Sequence, residues 1–258
     1  MNSIIEAINK GIEQSGLDRN KISIPSDIPF EPETVKSLGV DYFQVPRGRA
    51  IAFGSGLKLG NPELKIIPVV GDLMTLGGNH FVHGTRRNME LLVLCINSFV
   101  YHKVAGKSVP VVTEAFSPYS TFEEPFNFPH LGNSCGAVYT ARWTALHTAE
   151  LAKSIAEALH KRGMSMIEIL APGPSYYRYV TDLDSELLQF YFENSTVKND
   201  EDPRNAAITA DGKIIVGKFT DKERATFIDS YNIQHTKILG DAFTPHGSLP
   251  EKTGGGNG

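Results

Sequence analysis

Cysteine is scarce in this sequence, which has only Cys95 and Cys135 among its 258 residues. An iron–sulfur cluster is normally held by four thiolates, so this chain has too few cysteines to hold one by itself. Cys95 lies within a nearly continuous apolar stretch and is most simply a small buried core residue. Cys135 lies at the entry to another strand–helix unit, where a structural role fits equally well. We therefore expect no iron–sulfur cluster in this chain.

Long apolar runs and an excess of positive charge are also lacking. No apolar run approaches the roughly 20 residues that a membrane-spanning helix needs. The first residues, MNSIIEAINKGIEQ, lack the apolar core and cleavage site of a secretory signal. A formal net charge of −4 and a pI near 6.1 give no reason to expect nucleic acid or an anionic membrane as a partner. We expect a cytoplasmic protein without a membrane span.

The composition is that of an ordinary globular protein, with 41% hydrophobic and 21% charged residues. Predicted helices and strands alternate along the chain, which indicates a doubly wound α/β fold with a mainly parallel sheet. We predict an α/β domain over 1–195, a C-terminal extension over 196–248 and a disordered, glycine-rich tail over 249–258. The predicted helices are 3–14, 49–59, 144–161, 182–193 and 222–231, and the predicted strands are 21–24, 66–70, 91–96, 166–170 and 214–219.

The most informative stretch, 66–103, is predicted to be a buried strand, a helix and a second buried strand. IIPVVG and LLVLCIN are continuous apolar runs, as in strands of a parallel sheet covered on both faces. The first strand ends at Gly71 and Asp72, and the second at Asn97 and Ser98. Two parallel strands joined by a helix end at the same edge of the sheet, where α/β proteins bind ligands.

The polar groups at these two strand ends suit a hard cation such as Mg²⁺, which prefers oxygen ligands. The alternative is that Asp72 and Asn97 only close turns and cap helices. A glycine turn is predicted at Gly77 and Gly78, and the helix is predicted to start at Gly78 and Asn79. The free amide groups of that helix start would point into the crevice at the strand ends.

Three motifs resemble the thiamine-diphosphate-binding beta subunit of 2-oxoacid:ferredoxin oxidoreductases. They are GGNH at 77–80, RRN at 86–88 and RGRA at 47–50, where that family has HGRA. Further similarity at 124–126, 137–159, 167–172 and 217–229 extends the resemblance over most of the chain. The resemblance implies a sheet of the thiamine-diphosphate-binding type.

The resemblance also implies a Mg²⁺ site. In the family, the first Asp of GDGD, the second Asn of NN and a backbone carbonyl two residues later hold the metal. These positions fall on Asp72, Ser98 and Val100, with Asn97 at the first Asn. Asp72 takes the metal position only if the turn has lost two residues; without a gap, that position falls on Val70. The alternative is a remodelled turn that binds no cofactor.

Basic residues complete the site that the resemblance implies. Arg47 and Arg49 would neutralise a diphosphate or a substrate carboxylate, or else form a pair facing solvent or a partner subunit. Lys103 would pair with the carboxylate of a 2-oxoacid, unless it is simply solvated. His80 and His83 are expected to pack rather than to bind a metal. The full set of expected cofactor-binding residues is Arg47, Arg49, Gly71, Asp72, Leu73, Gly78, Asn79, Asn97, Val100 and Lys103, and the expected metal ligands are Asp72, Ser98 and Val100.

The implied activity is thiamine-dependent oxidative decarboxylation of a 2-oxoacid to acyl-coenzyme A. In the family, an alpha–gamma partner subunit supplies the glutamate that activates the cofactor, and clusters pass electrons to ferredoxin. The cysteines that hold the family's cluster are absent here: the region after the first strand reads IPSDIPFE, and the late turn reads PGPSY. Two alternatives therefore stay open, a cluster-free lyase that uses thiamine diphosphate without redox chemistry, and a non-catalytic assembly subunit.

Overall fold

A computed structural model describes residues 2–28, 30, 32–71, 73–98, 100–104, 107–110, 126–171, 184–208 and 214–247. The helices are α1 (Asn2–Ser15), α2 (Pro32–Leu38), α3 (Ala50–Gly60), α4 (Leu73–Arg87), α5 (Phe128–Cys135), α6 (Thr148–His160), α7 (Asp184–Glu193) and α8 (Phe227–Leu239). The strands are β1 (Ile22–Ser26), β2 (Asp41–Gln44), β3 (Lys65–Ile66), β4 (Val69–Val70), β5 (Leu92–Asn97), β6 (Val100–Val104), β7 (Lys107–Pro110), β8 (Tyr139–Thr144), β9 (Ser165–Leu170), β10 (Ser195–Val197) and β11 (Ile214–Asp221). Within the described ranges, short 3₁₀ helices cover Arg19–Lys21, Pro203–Ala206 and Gly240–Ala242.

Nine strands of the described chain form one sheet in the order β10-β11-β8-β9-β5-β4-β1-β2, with β3 beside β1. The strands from β2 to β8 in this order run parallel to their neighbours, and β11 is antiparallel to β8. Strands β5, β8 and β9 are buried along their whole length, as their continuous apolar sequences predict. The predicted doubly wound, mainly parallel α/β fold is confirmed.

Helices cover both faces of the sheet. On one face, apolar residues of α1 and α6, such as Ile8 and Ile155, are fully buried against the sheet. On the other face, α3, α4 and α5 bury Ile51, Phe81 and Phe128. Each fully buried side chain of this size contributes about 1.5–3 kcal/mol. Gly11 allows α1 to lie close to α6, because a Cβ atom there would meet Ile155 at 2.7 Å.

The strand order predicts a crevice at the carboxyl edge of the sheet between β1 and β4. The two strands are parallel neighbours, with Ser26 paired to Val69. The chain leaves β1 toward α2, whose Leu38 packs in the core with α1 and α6. It leaves β4 toward α4, whose Phe81 packs in the core of the opposite face. Because the two connections depart to opposite faces, this point has the geometry at which open α/β sheets bind ligands.

The predicted glycine turn and helix start at 77–80 are wrong. Helix α4 begins at Leu73, so Gly77 and Gly78 lie inside the helix rather than before it. Glycine in a helix is unfavourable by about 1 kcal/mol relative to alanine, and packing explains its presence here. A Cβ atom on Gly77 would lie 3.3 Å from the carbonyl oxygen of Gly48. The small residues let the loop before α3 lie against α4.

Two other predicted helices begin too early. Residues 139–144 form the buried strand β8, and α6 begins at Thr148 rather than at 144. Helix α8 begins at Phe227 rather than at 222, because Thr226 and Asp229 form a capping box that fixes the helix start.

The predicted strand 66–70 is divided into β3 and β4 on either side of Pro68. Proline has no amide hydrogen for a sheet hydrogen bond.

The RRN motif ends α4 and anchors the later part of the chain. Asn88 has a positive φ of 55° and is buried, as suits an asparagine just after a helix. Its side-chain nitrogen donates to the carbonyls of Arg224 and Ala225, and its side-chain oxygen accepts from the amide of Met164. Because Asn88 contacts both segments, it holds the approach to α8 against the start of β9.

The boundaries at 195/196 and 248/249 stay predictions. Strand β11, within 196–248, pairs with β8 of the main sheet. The tail at 249–258 lies outside the described residues. None of the helices in the described part of the chain is long and apolar enough to cross a membrane.

Candidate functional site

The candidate site is the crevice at the carboxyl ends of β1, β4 and β5. The 15-residue helix α4 begins here, at Leu73. The first four amide N–H groups of an α-helix have no partner within the helix, and the helix dipole adds partial positive charge there. The start of α4 is therefore a suitable position for an anionic group such as a phosphate.

Asp27, at the end of β1, links the loop at Gly48 and the turn at Gly71, and no role was predicted for it from the sequence. It follows β1 directly and is 5% exposed. Its Oδ2 atom accepts the amide hydrogen of Gly48 over 2.8 Å, and its Oδ1 atom accepts that of Gly71 over 2.9 Å. The signal in the sequence was an aspartate placed directly after a buried strand.

Arg49 lies beside the first turns of α4. Its Nη1 atom donates to the carbonyl of Leu76 over 2.9 Å and more weakly to that of Gly48 over 3.4 Å. The Arg49 side chain is otherwise exposed, and Arg47, two residues earlier, is also exposed. Two cationic side chains therefore lie in the loop between β2 and α3, and that of Arg49 contacts the first turn of α4.

Gly48 is required by its conformation and by its neighbours. Its φ of +70° is one that glycine adopts readily, and a Cβ atom would lie 2.5 Å from the backbone of Leu76. We expect Gly48→Ala to destabilise the protein by about 2–3 kcal/mol, from backbone strain and from displacement of α4. The matched control is Gly56→Ala in α3, where a Cβ atom meets nothing within 4 Å.

Gly56→Ala is expected to stabilise the protein by about 0.5–1 kcal/mol, because alanine favours the helix. Urea unfolding of both variants measures the two effects. Equal stabilities of Gly48→Ala and the wild type would contradict the close approach of this loop to α4.

Asn97, at the end of β5, contacts a buried ion pair. Its Nδ2 atom donates to Oε1 of Glu168 over 2.7 Å, and Asn97 is 2% exposed. Glu168, on the neighbouring strand β9, accepts at Oε2 from Nε of Arg142 over 2.6 Å. Ser98 follows Asn97 at the crevice and is partly exposed. Glu168 and Arg142 were not predicted from the sequence, because they lie in the largely apolar strands SMIEIL and YTARWT.

Arg142 and Glu168 are completely buried. Nη1 of Arg142 donates to the backbone carbonyls of Ala206 and Ile215, which ties the 3₁₀ helix Pro203–Ala206 to the sheet. Its Nη2 atom has no hydrogen-bond partner in the part of the chain that the structure describes. The network Asn97–Glu168–Arg142 therefore holds the end of β5 relative to β9 and β8.

The other expected site residues are distributed along the same edge. Asp72 lies outside the described residues, and Val70, the alternative metal position, is a buried apolar residue of β4. Leu73 is buried at the first position of α4, Gly78 is buried within that helix, and Asn79 is exposed. Val100 and Lys103 are residues of β6, and their side chains lie outside the described part.

The pKa of His80, in α4, depends on burial and on the charges nearby. Burial, followed by the positive charges of Arg49 and His83, lowers the pKa of His80 below its usual value. Among the described residues, no group of three or more His, Cys, Asp or Glu side chains is arranged to hold a metal ion. The Arg49 guanidinium beside the first turn of α4 favours an anion there.

Comparisons with known proteins identify relatives of this chain. Residues 32–169 match the family model of thiamine pyrophosphate enzymes, C-terminal TPP-binding domain. The chain is 35% identical to 2-oxoglutarate synthase subunit KorB of Methanothermobacter marburgensis, over 88% of this chain and 82% of that protein. It is 32% identical to the beta subunit of 2-oxoacid:ferredoxin oxidoreductase 2 of Aeropyrum pernix, over 69% of this chain and 60% of that protein.

A solved structure has the same fold. It is the 2-oxoglutarate:ferredoxin oxidoreductase of Magnetococcus marinus with 2-oxoglutarate, coenzyme A and succinyl-CoA bound. The TM-score is 0.73 at 20% identity, over 91% of this chain and 84% of that chain. At that identity, the likeness is evidence for the fold alone.

Proposed function

This chain belongs to the beta subunits of 2-oxoacid:ferredoxin oxidoreductases, and we propose that it binds thiamine diphosphate in the crevice between β1 and β4. The observation that carries this proposal is the start of α4 beside Arg49, within the matched region 32–169. The first amide groups of α4 and the guanidinium groups of Arg47 and Arg49 suit a diphosphate.

We propose that Mg²⁺ accompanies the diphosphate. The donors available in this chain are the Asp72 carboxylate, the Ser98 hydroxyl and the Val100 carbonyl, all oxygen ligands of the kind that Mg²⁺ prefers. Ser98 takes this role because it matches the family's second Asn, whereas Asn97 matches the first and donates from its amide nitrogen to Glu168. The Leu73 side chain is buried in the core at the first position of α4, so its backbone amide is the group that would face the phosphate.

The proposed reaction is the oxidative decarboxylation of a 2-oxoacid to acyl-coenzyme A together with an alpha–gamma-type partner subunit. When bound, thiamine diphosphate supplies an electron sink for breaking the bond beside a 2-oxo carbon. Lys103 is the candidate partner for the substrate carboxylate. The name of the Methanothermobacter relative supports 2-oxoglutarate as the first substrate to test. Cytoplasm is the proposed location.

Electrons would leave through ferredoxin or another cluster-bearing subunit, since this chain has two cysteines. Cys95 is buried in β5, and Cys135, at the end of α5, is partly buried. The same cysteine count keeps a second candidate open, a cluster-free homologue that acts as a non-redox lyase or an assembly subunit.

The test uses this chain purified with its partner subunit and supplied with 2-oxoglutarate, coenzyme A and ferredoxin. Succinyl-CoA formation with ferredoxin reduction is expected. Carbon dioxide release without ferredoxin reduction would identify the cluster-free lyase. If neither succinyl-CoA nor carbon dioxide is formed and no thiamine diphosphate is bound, the assembly role is the remaining explanation.

The pKa of His80 provides a readout of binding that does not depend on activity. An anionic diphosphate near Arg49 favours the imidazolium, so we expect thiamine diphosphate to raise the pKa of His80. Arg49→Gln should raise this pKa in the free chain for the same reason. NMR titration of the histidine ring protons, with His80→Gln for assignment, measures both shifts. An unchanged His80 pKa on saturation would contradict this location of the diphosphate.

His80 also predicts a pH dependence of stability. Its pKa is lowered in the folded chain, whereas the unfolded chain takes up the proton near the ordinary value of about 6.5. The unfolded state therefore binds more protons as the pH falls below about 6.5, and the free energy of unfolding decreases there. Arg49→Gln should reduce this decrease, because it removes one cause of the shift.

A further inference from the structure

We propose that Asp27 is the positioning residue of this site. By its carboxylate it sets the distance between the loop at Gly48 and the turn at Gly71, and it thereby holds Arg49 and the start of α4 at one crevice. This inference rests on the proposed binding of thiamine diphosphate. It gives a role to a residue outside the expected cofactor-binding set.

Asp27, at the end of β1, contacts two other segments of the described chain, the loop at Gly48 and the stretch from Val69 to Gly71. Its backbone amide donates to the carbonyl of Val69 in β4 over 3.1 Å. Its two carboxylate oxygens accept from Gly48, before α3, over 2.8 Å and from Gly71, after β4, over 2.9 Å. Asp27 thus links the end of β1 to the ends of the two connections that lead into α3 and α4.

The chemistry of these contacts requires a carboxylate. Both partners are backbone N–H donors, and an ionised carboxylate offers an acceptor oxygen to each. Hydrogen bonds from backbone amides to a charged oxygen are also stronger than neutral ones. An asparagine offers one acceptor oxygen, so its NH₂ group would face one of the two amide hydrogens. Asp27→Asn therefore keeps the shape and breaks one of the two links.

The position of Gly48 determines where the next residue, Arg49, lies relative to α4. Gly48 contacts the backbone of Leu76 so closely that a Cβ atom would lie at 2.5 Å. Arg49, the next residue, donates to the carbonyl of Leu76 over 2.9 Å. Gly71 lies two residues before the first residue of α4. Loss of either Asp27 link therefore changes where Arg49 lies relative to the start of α4.

The test compares Asp27→Asn with Asp41→Asn in the complex with the partner subunit. Asp41 is a matched control: it accepts one hydrogen bond, from Ser23, and lies at the amino end of β2, away from the crevice. Calorimetry at 10 °C, where all variants are folded by their melting curves, measures thiamine diphosphate and inorganic pyrophosphate separately. We expect Asp27→Asn to weaken both ligands by 10-fold or more, and Asp41→Asn to bind them like the wild type.

A merely structural role would lower the melting temperature and leave the dissociation constants of the folded protein unchanged. The second readout is the His80 pKa without ligand, which should rise in Asp27→Asn because Arg49 is less closely held. Wild-type affinity together with a wild-type His80 pKa would overturn the inference. Should the wild type bind no thiamine diphosphate, the proposed function fails, and the His80 readout still tests the positioning.

The wild type offers a test that needs no variant. The amide hydrogens of Gly48 and Gly71 lie outside helices and strands, yet Asp27 accepts both. Both should therefore exchange with solvent slowly, at similar rates. If Asp27→Asn does not fold, the exchange rates of the Gly48 and Gly71 amides in the wild type test the inference instead. Rapid exchange of both amides would overturn it.

Discussion

Replacing Glu168 by glutamine is expected to lower the free energy of unfolding by about 3–5 kcal/mol, the cost of leaving a buried charge without its partner. Glu168 and Arg142 are completely buried and lie 2.6 Å apart at Oε2 and Nε. The substitution keeps the shape of the side chain and removes its charge. The glutamine keeps one acceptor oxygen, which is neutral and can accept from Arg142 or from Asn97 but not from both. The amide of Asn97 also loses its charged acceptor.

Urea unfolding measures this effect, with Glu6→Gln as the control. Glu6 forms an exposed pair with Lys10 on α1, and such pairs contribute about 0–1 kcal/mol. The double variant Arg142→Met/Glu168→Met should be less destabilised than the sum of its single variants, because neither charge is left alone. A loss below about 1 kcal/mol for Glu168→Gln would contradict the buried network.

Replacing Asp72 by alanine is expected to weaken thiamine diphosphate binding by about 3 kcal/mol, or roughly 100-fold, if Asp72 holds the metal. Asp72 comes between Gly71, whose amide donates to Asp27, and Leu73, the first residue of α4. A carboxylate at this point of the chain would bridge Mg²⁺ to the diphosphate, and alanine has no oxygen to replace it. The effect should vanish when Mg²⁺ is omitted, because both proteins then lack the metal.

Ser98→Asn provides the opposite change at the same metal. It restores the family's second Asn, and we expect tighter binding because an amide oxygen is a stronger ligand than a hydroxyl. Asp241→Ala, in an exposed 3₁₀ helix, is the control for loss of one carboxylate. Equal affinities of Asp72→Ala and the wild type would remove Asp72 from the metal site. If Ser98→Asn binds thiamine diphosphate more weakly than the wild type, Ser98 is not a metal ligand.

The central part of the fold could be predicted because its signals are local. The apolar runs of β4 and β5 and the helix between them are visible in the sequence, and their parallel pairing through Val69 and Leu94 follows from that order. The helix start could not be predicted from glycine alone. Gly77 lies inside α4 because it contacts Gly48, a contact between segments about 30 residues apart whose packing outweighs the low helix propensity of glycine.

The candidate site was only partly predictable for a similar reason. Arg49 and the strand ends could be identified from motifs, whereas Asp27 acts through the backbone amides of two distant glycines. The position of Asp27 directly after a buried strand is visible in the sequence, but its two glycine partners are not. Arg142 was equally hidden, because its charge is neutralised by Glu168 on a strand that follows 21 residues later. Predicting long-range partners of this kind requires the order of strands in the sheet, which the hydrophobic periodicity of the sequence does not provide.

Calorimetric titration of thiamine diphosphate with Mg²⁺ into the wild-type chain, in complex with its partner subunit, tests the central claim most directly. The account predicts one cofactor bound per chain, with a dissociation constant of about 10 μM or lower, equivalent to roughly 7 kcal/mol of binding free energy. It also predicts that inorganic pyrophosphate competes for the site. Absence of binding heat, in a complex shown to be folded and assembled, would contradict the claim.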